Sequence, residues 1–336
     1  MRTEILYAKT EDGVSLAVID VTTPVFAVSA TDAELAAMSE QYIREAAQQR
    51  EIPEALREAL LSSMLGRGLM AASGTYLDGM STYLLKLGPE NLGAEASPID
   101  RRIAASFPAF AARLRLQDMA RLLADGLARI APVETRRRMC LVNIGGGTGS
   151  DSWNALILLQ KGIHTGPPVE QRDLAGREIV IALMDLDGRG PEFGGCAIEC
   201  LRGPAGPLGR LNIGFRRYRY DWSEAWRLPE LLDELDVRHA ACAISSEGGL
   251  FEYGSDEEIV SNLTALGAGT PRDAIVVGSV TREGGPVRAS LIASRVLTRP
   301  RTIEGFRSLC ERGGWRVEEV IERPFSYNVR LVKSEN

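Results

Sequence analysis

The feature that most constrains the fold is the alternation of short apolar runs with amphipathic segments in the second part of the chain. Apolar runs of strand length occupy residues 139–144, 178–186, 210–218, 240–245, 274–280, 315–321 and 327–333. Segments with helical spacing lie between them, at residues 151–160, 222–235, 256–266 and 303–312. Because strands that alternate with helices form a mostly parallel sheet covered on both faces, the pattern predicts an α/β fold.

The end of the chain departs from this alternation. The last two apolar runs are separated only by the segment Glu322–Ser326. A parallel connection needs a crossover of about a dozen residues or more, so these two strands are predicted to be antiparallel.

The first part of the chain has a different period. Short runs that suit strands or an extended arm occupy the first 28 residues, and helical spacing follows to about residue 131. Thr31 and Glu34 have the spacing of a capping box, and Ser97 before Pro98 is typical of a helix start. We therefore predict a mainly helical N-terminal cap at residues 1–131, with short strands at its start, and an α/β domain at residues 132–336.

Composition excludes several classes of function. The net charge of −6 argues against a nucleic-acid or anionic membrane partner, because such proteins carry a basic domain or stripe. We find neither an apolar run long enough to span a membrane nor the apolar core of a signal peptide, so a cytoplasmic location is expected. The five scattered cysteines form no CxxC pair, and with only two histidines no metal site is predicted.

Residues 141–154 read LVNIGGGTGSDSWN, in which an apolar strand runs into glycines and then into a helix. Glycines at 145, 146, 147 and 149 would let a ligand approach bare backbone near the amides of a helix N-terminus. Their spacing is GxGxG rather than the dinucleotide fingerprint GxGxxG, and the absence of GK[ST] excludes a P-loop. A tight turn between strand and helix remains an alternative explanation.

The next two strands also end in chemically distinctive residues. The second ends in MDLD, where Asp185, or its close rival Asp187, is placed to accept both hydroxyls of a ribose. The third ends near Asp221 and Trp222, a carboxylate that could receive an exocyclic amine and a ring that could stack on a purine.

In this order of features, residues 138–333 resemble the class I S-adenosylmethionine-dependent methyltransferases. The resemblance implies a Rossmann-like seven-stranded sheet of order 3-2-1-4-5-7-6 with strand 7 antiparallel, and S-adenosylmethionine across the carboxyl ends of the strands. Gly145, Gly147 and Gly149 would approach the methionine moiety and ribose, Asp185 would hold the ribose, and Asp221 with Trp222 would frame the adenine. The remaining predicted cofactor-binding residues are Asn143, Gly146, Leu186 and Ser245.

Two departures from the family pattern stand out. Asn143 occupies a position that is usually acidic, so the charge beside the ammonium of the donor is lost. The interval between Gly149 and Asp185 is longer than usual, which predicts an inserted loop at residues 164–178. Both departures fit a divergent member of the family, or one without turnover.

Candidate catalytic and acceptor-binding residues lie near the fourth strand and in the helical cap. Glu247, directly after the fourth strand, is the first candidate for a base or an acceptor orienter, and Tyr253 is the second. Residues 64–88 could form a lid with Tyr76, Met80 and Tyr83 as acceptor-binding residues, or could be a helical subdomain or dimer surface.

The sequence therefore predicts a methyltransferase that acts on a small-molecule acceptor, and a homodimer through the N-terminal helices is one further expectation. A methyltransferase-like binding or assembly protein without turnover is the main alternative. A nicotinamide-dependent oxidoreductase is the other, although it would require GxGxxG near the start of its domain and a catalytic His or Tyr/Lys pair. The sequence does not identify the acceptor or the atom that is methylated.

Overall fold

The computed structural model describes residues 5–48, 54–130, 138–168 and 174–335. The strands are β1 (Tyr7–Lys9), β2 (Ser15–Ala17), β3 (Arg138–Ile144), β4 (Glu178–Asp185), β5 (Asn212–Arg219), β6 (Ala240–Ser246), β7 (Ile275–Thr281), β8 (Trp315–Glu322) and β9 (Ser326–Lys333). The α-helices are α1 (Asp32–Gln48), α2 (Glu54–Ser62), α3 (Met64–Ala71), α4 (Gly79–Leu87), α5 (Pro98–Ala104), α6 (Phe107–Ile130), α7 (Ser150–Gln160), α8 (Arg189–Arg202), α9 (Leu228–Glu234), α10 (Leu250–Tyr253), α11 (Asp256–Gly269), α12 (Gly285–Ser294) and α13 (Ile303–Arg312). Short 3₁₀ helices occupy Trp222–Arg227 and Val237–His239.

The large sheet has the strand order β5-β4-β3-β6-β7-β9-β8. Counted from β3 as the first strand, this is the order 3-2-1-4-5-7-6, and β9 is antiparallel to both β7 and β8. The predicted fold is therefore confirmed, including the antiparallel finish. The order also brings the carboxyl ends of β3, β4 and β6 to one edge of the sheet, where β3 pairs in parallel with both neighbours.

The central strands are apolar along their whole length because both faces of the sheet are covered. One face of β3 contributes Met139 and Leu141 to a core shared with α6 and α7. The other face contributes Cys140 and Val142 to a core that includes Trp315. No one-sided alternation of polar and apolar residues is expected in such strands, and β3 shows none.

The N-terminal region shares its core with the α/β region. Leu116, Met119 and Leu123 of α6 belong to the same apolar cluster as Leu141 of β3 and Leu156 of α7. The small β1–β2 hairpin lies against α8. The predicted division at residue 131 therefore does not separate two cores, and the boundary itself falls in residues 131–137, outside the described residues.

The helix starts expected from the sequence are present. Thr31 and Glu34 hydrogen-bond reciprocally at the start of α1, and Ser97 with Asp100 forms a capping box before α5, with Pro98 as its first residue. Part of the predicted inserted loop, residues 169–173, lies outside the described residues.

Within the described ranges, no helix is long and apolar enough to cross a membrane. In the same ranges, no group of three or more His, Cys, Asp or Glu side chains could hold a metal ion. All five cysteines are free thiols, and Cys140, Cys242 and Cys310 are buried.

Candidate functional site

A narrow cleft lies at the carboxyl edge of the sheet, over the ends of β3, β4 and β6. Its floor is the glycine loop at residues 145–148, and its walls are residues 185–187, Trp222 and the loop after β6. The start of α4 and the residues before it form the roof. The cavity has a volume of about 30 Å³, which leaves room for only a few water molecules.

The backbone of the glycine loop has conformations that require glycine. Gly145, Gly147 and Gly149 have φ angles of 61°, 57° and 72°, in the left-handed region. A Cβ on Gly145 would lie 2.7 Å from the ring of Trp222, and one on Gly147 would lie 2.8 Å from the Cα of Gly79. Conformation and close packing therefore both exclude a side chain at these positions.

The contact between Gly79 and Gly147 joins the helical cap to the glycine loop. Gly190, at the start of α8, meets the same point, since a Cβ there would lie 2.9 Å from the carbonyl carbon of Gly147. Three backbones thus pack directly on one another above the loop. The backbone of the glycine loop, which the sequence led us to assign to a ligand, is therefore covered by the start of α4.

Asp185 ends β4, and its carboxylate faces the glycine loop. Its Oδ2 accepts a hydrogen bond from the amide of Gly147 at 3.0 Å, and its Oδ1 accepts one from the amide of Asp187 at 3.0 Å. Burial raises the pKa of Asp185 despite these bonds. Leu186 and Asp187 also line the cleft, and Asp187 accepts a hydrogen bond from the amide of Arg189 at 3.2 Å.

Three aromatic rings meet at the mouth of the cleft. The ring of Tyr76 lies edge-on to Trp222, with 6.2 Å between centroids, and to Tyr253, with 6.0 Å between centroids. Burial is the main cause that raises the pKa of Tyr253, and the charge of Glu252 adds to it, so its phenol stays neutral. Asp221 does not face the cleft, because its carboxylate caps the following 3₁₀ helix through the amide of Ser223 at 2.9 Å.

Glu247 lines the cleft, but its carboxylate is engaged on both sides. Its Oε2 accepts a hydrogen bond from Nζ of Lys86, and its Oε1 accepts a hydrogen bond from Nε of Arg115 at 2.6 Å. Burial favours the neutral acid, but the charges of Lys86 and Arg115 outweigh it and lower the pKa of Glu247. A weak base with no free oxygen does not suit proton abstraction, so the geometry does not favour the predicted role of Glu247 as a base.

Asn143 and Ser245 lie beneath the glycine loop rather than at its surface. Both side chains are buried and in contact, and Nδ2 of Asn143 also donates to Oδ1 of Asp151 at 3.0 Å. The side chain of Asn143 fills the space below Gly146, where a Cβ would lie 2.9 Å from that of Asn143. Together these residues support the loop from below.

Asp151, which the sequence reasoning missed, is a buried carboxylate behind the wall of the cleft and stands only two residues after Gly149. It is 1% exposed, and its Oδ1 also accepts from the amide of Ser152 at 2.8 Å. Its Oδ2 is buried and has no hydrogen-bond partner among the described residues. Burial and the charge of Glu247 raise its pKa to about 6, against the hydrogen bond from Ser245 and the charge of Lys86.

The raised pKa of Asp151 predicts a pH-dependent stability. The folded protein holds this proton more tightly than the unfolded chain, so the stabilisation is complete below about pH 4 and lost as the pH rises through about 6. Between about pH 5 and pH 7 the free energy of unfolding should fall by about 1 kcal/mol more in the wild type than in Asp151→Asn. Urea denaturation at both pH values measures this difference, and equal pH dependence of the two proteins would contradict it.

The predicted acceptor-binding residues are only partly brought to the cleft. Tyr76 lines it, and Met80 packs against the apolar core instead. Tyr83 is fully buried, donates its hydroxyl to the carbonyl of Ala17 at 2.7 Å and accepts from the amide of Ile19 at 3.1 Å. It therefore belongs to the core, and the prediction for it was wrong. The residues that look into the cleft are instead Thr82 and Lys86 of α4 and Asp78, which caps the start of that helix.

No protein-family model matches the sequence, and no curated protein matches it. Among solved structures, a possible exported protein from Bordetella parapertussis is similar, with 20% identity and a TM-score of 0.54 over 91% of this chain and 98% of that chain. The mitomycin 7-O-methyltransferase MmcR has 14% identity and a TM-score of 0.42 over 87% of this chain and 75% of its own. CalO1, a methyltransferase in calicheamicin biosynthesis solved with S-adenosylhomocysteine bound, has 15% identity and a TM-score of 0.41 over 85% and 74%.

The likeness to the Bordetella protein concerns the fold alone. The strand order, the antiparallel last strand and the glycine loop after the first strand of the sheet are those that the sequence resemblance implied. The chain thus has the Rossmann-like sheet topology of the class I methyltransferase fold.

Proposed function

We propose that this chain binds S-adenosylmethionine in the cleft and transfers its methyl group to a small-molecule acceptor. One observation carries the proposal: a half-buried carboxylate, bare backbone and an indole ring meet at the carboxyl edge of the sheet. Asp185 faces the amide of Gly147, and Trp222 lies against Gly145. This combination suits a nucleoside, because the carboxylate can accept ribose hydroxyls and the ring can stack on a base.

The chemical groups fit the donor, whereas the space above them requires a rearrangement. Pockets for ligands of this size hold about 300–1,000 Å³, and the cavity below α4 has about 30 Å³. The start of α4, where Gly79 rests on Gly147, must therefore move for the donor to enter. The proposal therefore includes the lid movement expected for residues 64–88.

In this proposal each group has a limited task. Gly145 and Gly147 give the donor access to backbone, Asp185 holds the ribose, and Trp222 contacts the base. The donor supplies an electrophilic methyl group, and much of the rate enhancement can come from holding an acceptor atom in line with it. Tyr253, neutral and at the mouth of the cleft, is the remaining candidate to orient an acceptor through its hydroxyl.

Replacement of Asp185 by asparagine tests the assignment. Binding of S-adenosylhomocysteine, measured by calorimetry, should weaken by about 1–3 kcal/mol, the range for hydrogen bonds to a charged group. Asp187→Asn is the matched control, since it removes the neighbouring carboxylate on the same loop and should change affinity much less. Equal losses in the two variants, or unchanged affinity in Asp185→Asn, would reject the role of Asp185.

A binding or assembly function without turnover is the second candidate. It is favoured by the closed cleft and by Glu247, whose two oxygens are occupied by Lys86 and Arg115. Formation of S-adenosylhomocysteine from S-adenosylmethionine in the presence of candidate acceptors distinguishes the two functions. Binding of the donor without any such product, over a broad set of acceptors, would favour the second.

A further inference from the structure

Charged side chains form a buried cluster beside the cleft, and carboxylates outnumber cations in it. Its members are Lys86, Arg115, Asp151, Glu247 and Glu252. Arg115 bridges the two glutamates, with contacts of 2.6 Å to Glu247 and 2.8 Å to Glu252, and Lys86 contacts Glu247. Within the part of the chain that the structure describes, Asp151 forms no ion pair, and its Oδ2 has no hydrogen-bond partner. The cluster therefore carries one more negative charge than positive.

Lys86 reaches this cluster from α4, the helix that closes the cleft. Its side chain is 4% exposed and is directed to Glu247 on the wall of the cavity. The start of the same helix is the part that lies on Gly147. Lys86 lies in the last turn of α4, so a displacement of the helix as a rigid unit, which would make room for a nucleoside, would also carry Lys86 away from the carboxylates.

Without Lys86, the carboxylates that remain would be poorly neutralised. Among the described residues, Glu247 would keep an ion pair only with Arg115, which it shares with Glu252, and Asp151 would lose the favourable charge of Lys86. Carboxylates that are buried without a partner are unfavourable, so an open cleft needs another positive charge at this place.

We infer that Glu247 and Asp151 form the subsite for an ammonium group of the ligand, and that the ammonium of Lys86 fills this subsite while the cleft is closed. The inference rests on the proposed function, because it assigns one part of the ligand to one part of the same cleft. It explains how a chain with Asn143 in place of the usual acid can still receive a cationic ligand. A ligand rich in phosphate would be repelled by the same carboxylates.

Calorimetric titrations of the full chain with two nucleosides test this inference. S-adenosylhomocysteine carries a primary ammonium, and 5′-methylthioadenosine lacks the amino acid portion. Asp151→Asn should weaken binding of S-adenosylhomocysteine by about tenfold or more and that of 5′-methylthioadenosine by less than about twofold. Lys86→Met should tighten binding of S-adenosylhomocysteine by about fivefold or more, because the internal competitor is removed.

Lys161→Met is the matched control for the lysine, since Lys161 is 39% exposed, pairs with Asp20 and does not line the cleft. The affinity of Lys161→Met for S-adenosylhomocysteine should stay within about twofold of that of the wild type. Should Lys86→Met fail to fold, the double variant Lys86→Met/Glu247→Gln removes both partners together. In that protein the affinity for S-adenosylhomocysteine should be no higher than the affinity for 5′-methylthioadenosine.

The outcomes separate this inference from the proposed function. Weaker binding of S-adenosylhomocysteine by Lys86→Met would overturn the inference, because Lys86 would then hold the ligand rather than compete with it. Equal weakening of both nucleosides by Asp151→Asn would also overturn it, since Asp151 would only support the loop. Absence of S-adenosylhomocysteine binding in the wild type and in every variant would instead refute the proposed function.

Discussion

Replacement of Gly147 by alanine is expected to lower the free energy of unfolding by about 2–4 kcal/mol. A left-handed alanine costs about 1 kcal/mol, and overpacking against a neighbouring backbone adds about 1–3 kcal/mol. Both apply here, because φ is 57° and the new Cβ would lie 2.8 Å from the Cα of Gly79. Urea denaturation of the two proteins measures the difference.

Gly162→Ala is the control that separates the two causes. Gly162 has a φ of 66°, but a Cβ there would meet nothing within 4 Å. Its replacement should cost only about 1 kcal/mol, the conformational part alone. If Gly147→Ala were no more destabilising than Gly162→Ala, α4 would not rest on the glycine loop in solution.

Replacement of Arg115 by methionine is expected to be at least as damaging. Arg115 is the cation that Glu247 and Glu252 share, and those side chains are only 1% and 7% exposed. Removing one partner from a buried ion pair costs about 3–5 kcal/mol, because the charge left behind is uncompensated. We therefore expect a loss of this size in the free energy of unfolding, measured by urea denaturation at neutral pH.

Arg44→Met provides the comparison at the surface. Arg44 pairs with Glu40 at 3.8 Å on the exposed side of α1, where the two side chains are 67% and 73% exposed. An exposed pair contributes less than about 1 kcal/mol, so this variant should unfold almost like the wild type. A similar loss in both variants would show that the cluster around Glu247 is hydrated and contributes little.

Much of the fold was predictable because it follows from the local spacing of apolar residues, glycines and short connections in the sequence. The antiparallel finish followed from the short segment between β8 and β9, which cannot contain a crossover. The glycine loop and Asp185 were predictable for the same reason, since each stands at the end of a recognisable strand.

The covering of the cleft by α4 was not predictable, because it depends on contacts between residues that are far apart in the sequence. Nothing near Lys86 indicates that its ammonium meets Glu247, 161 positions later. Tyr83 was misassigned for a related reason. An aromatic residue in a segment rich in methionine and glycine, residues 64–88, suits a ligand surface, but the hydroxyl of Tyr83 is already bonded to the backbone of β2.

Asp151 shows a third limit. Its position in the first turn of α7 is where a carboxylate stabilises any helix, so the sequence alone gives it no special role. Only burial, the unpartnered Oδ2 and the nearby charge of Glu247 set it apart.

A crystal structure of the chain with S-adenosylhomocysteine tests the central claim most directly. We predict that the ribose will lie against Asp185 and the base near Trp222, with Gly79 displaced from Gly147 to admit the ligand. Adenosine bound elsewhere, or a closed cleft with Gly79 still on Gly147 at saturating ligand, would contradict the account.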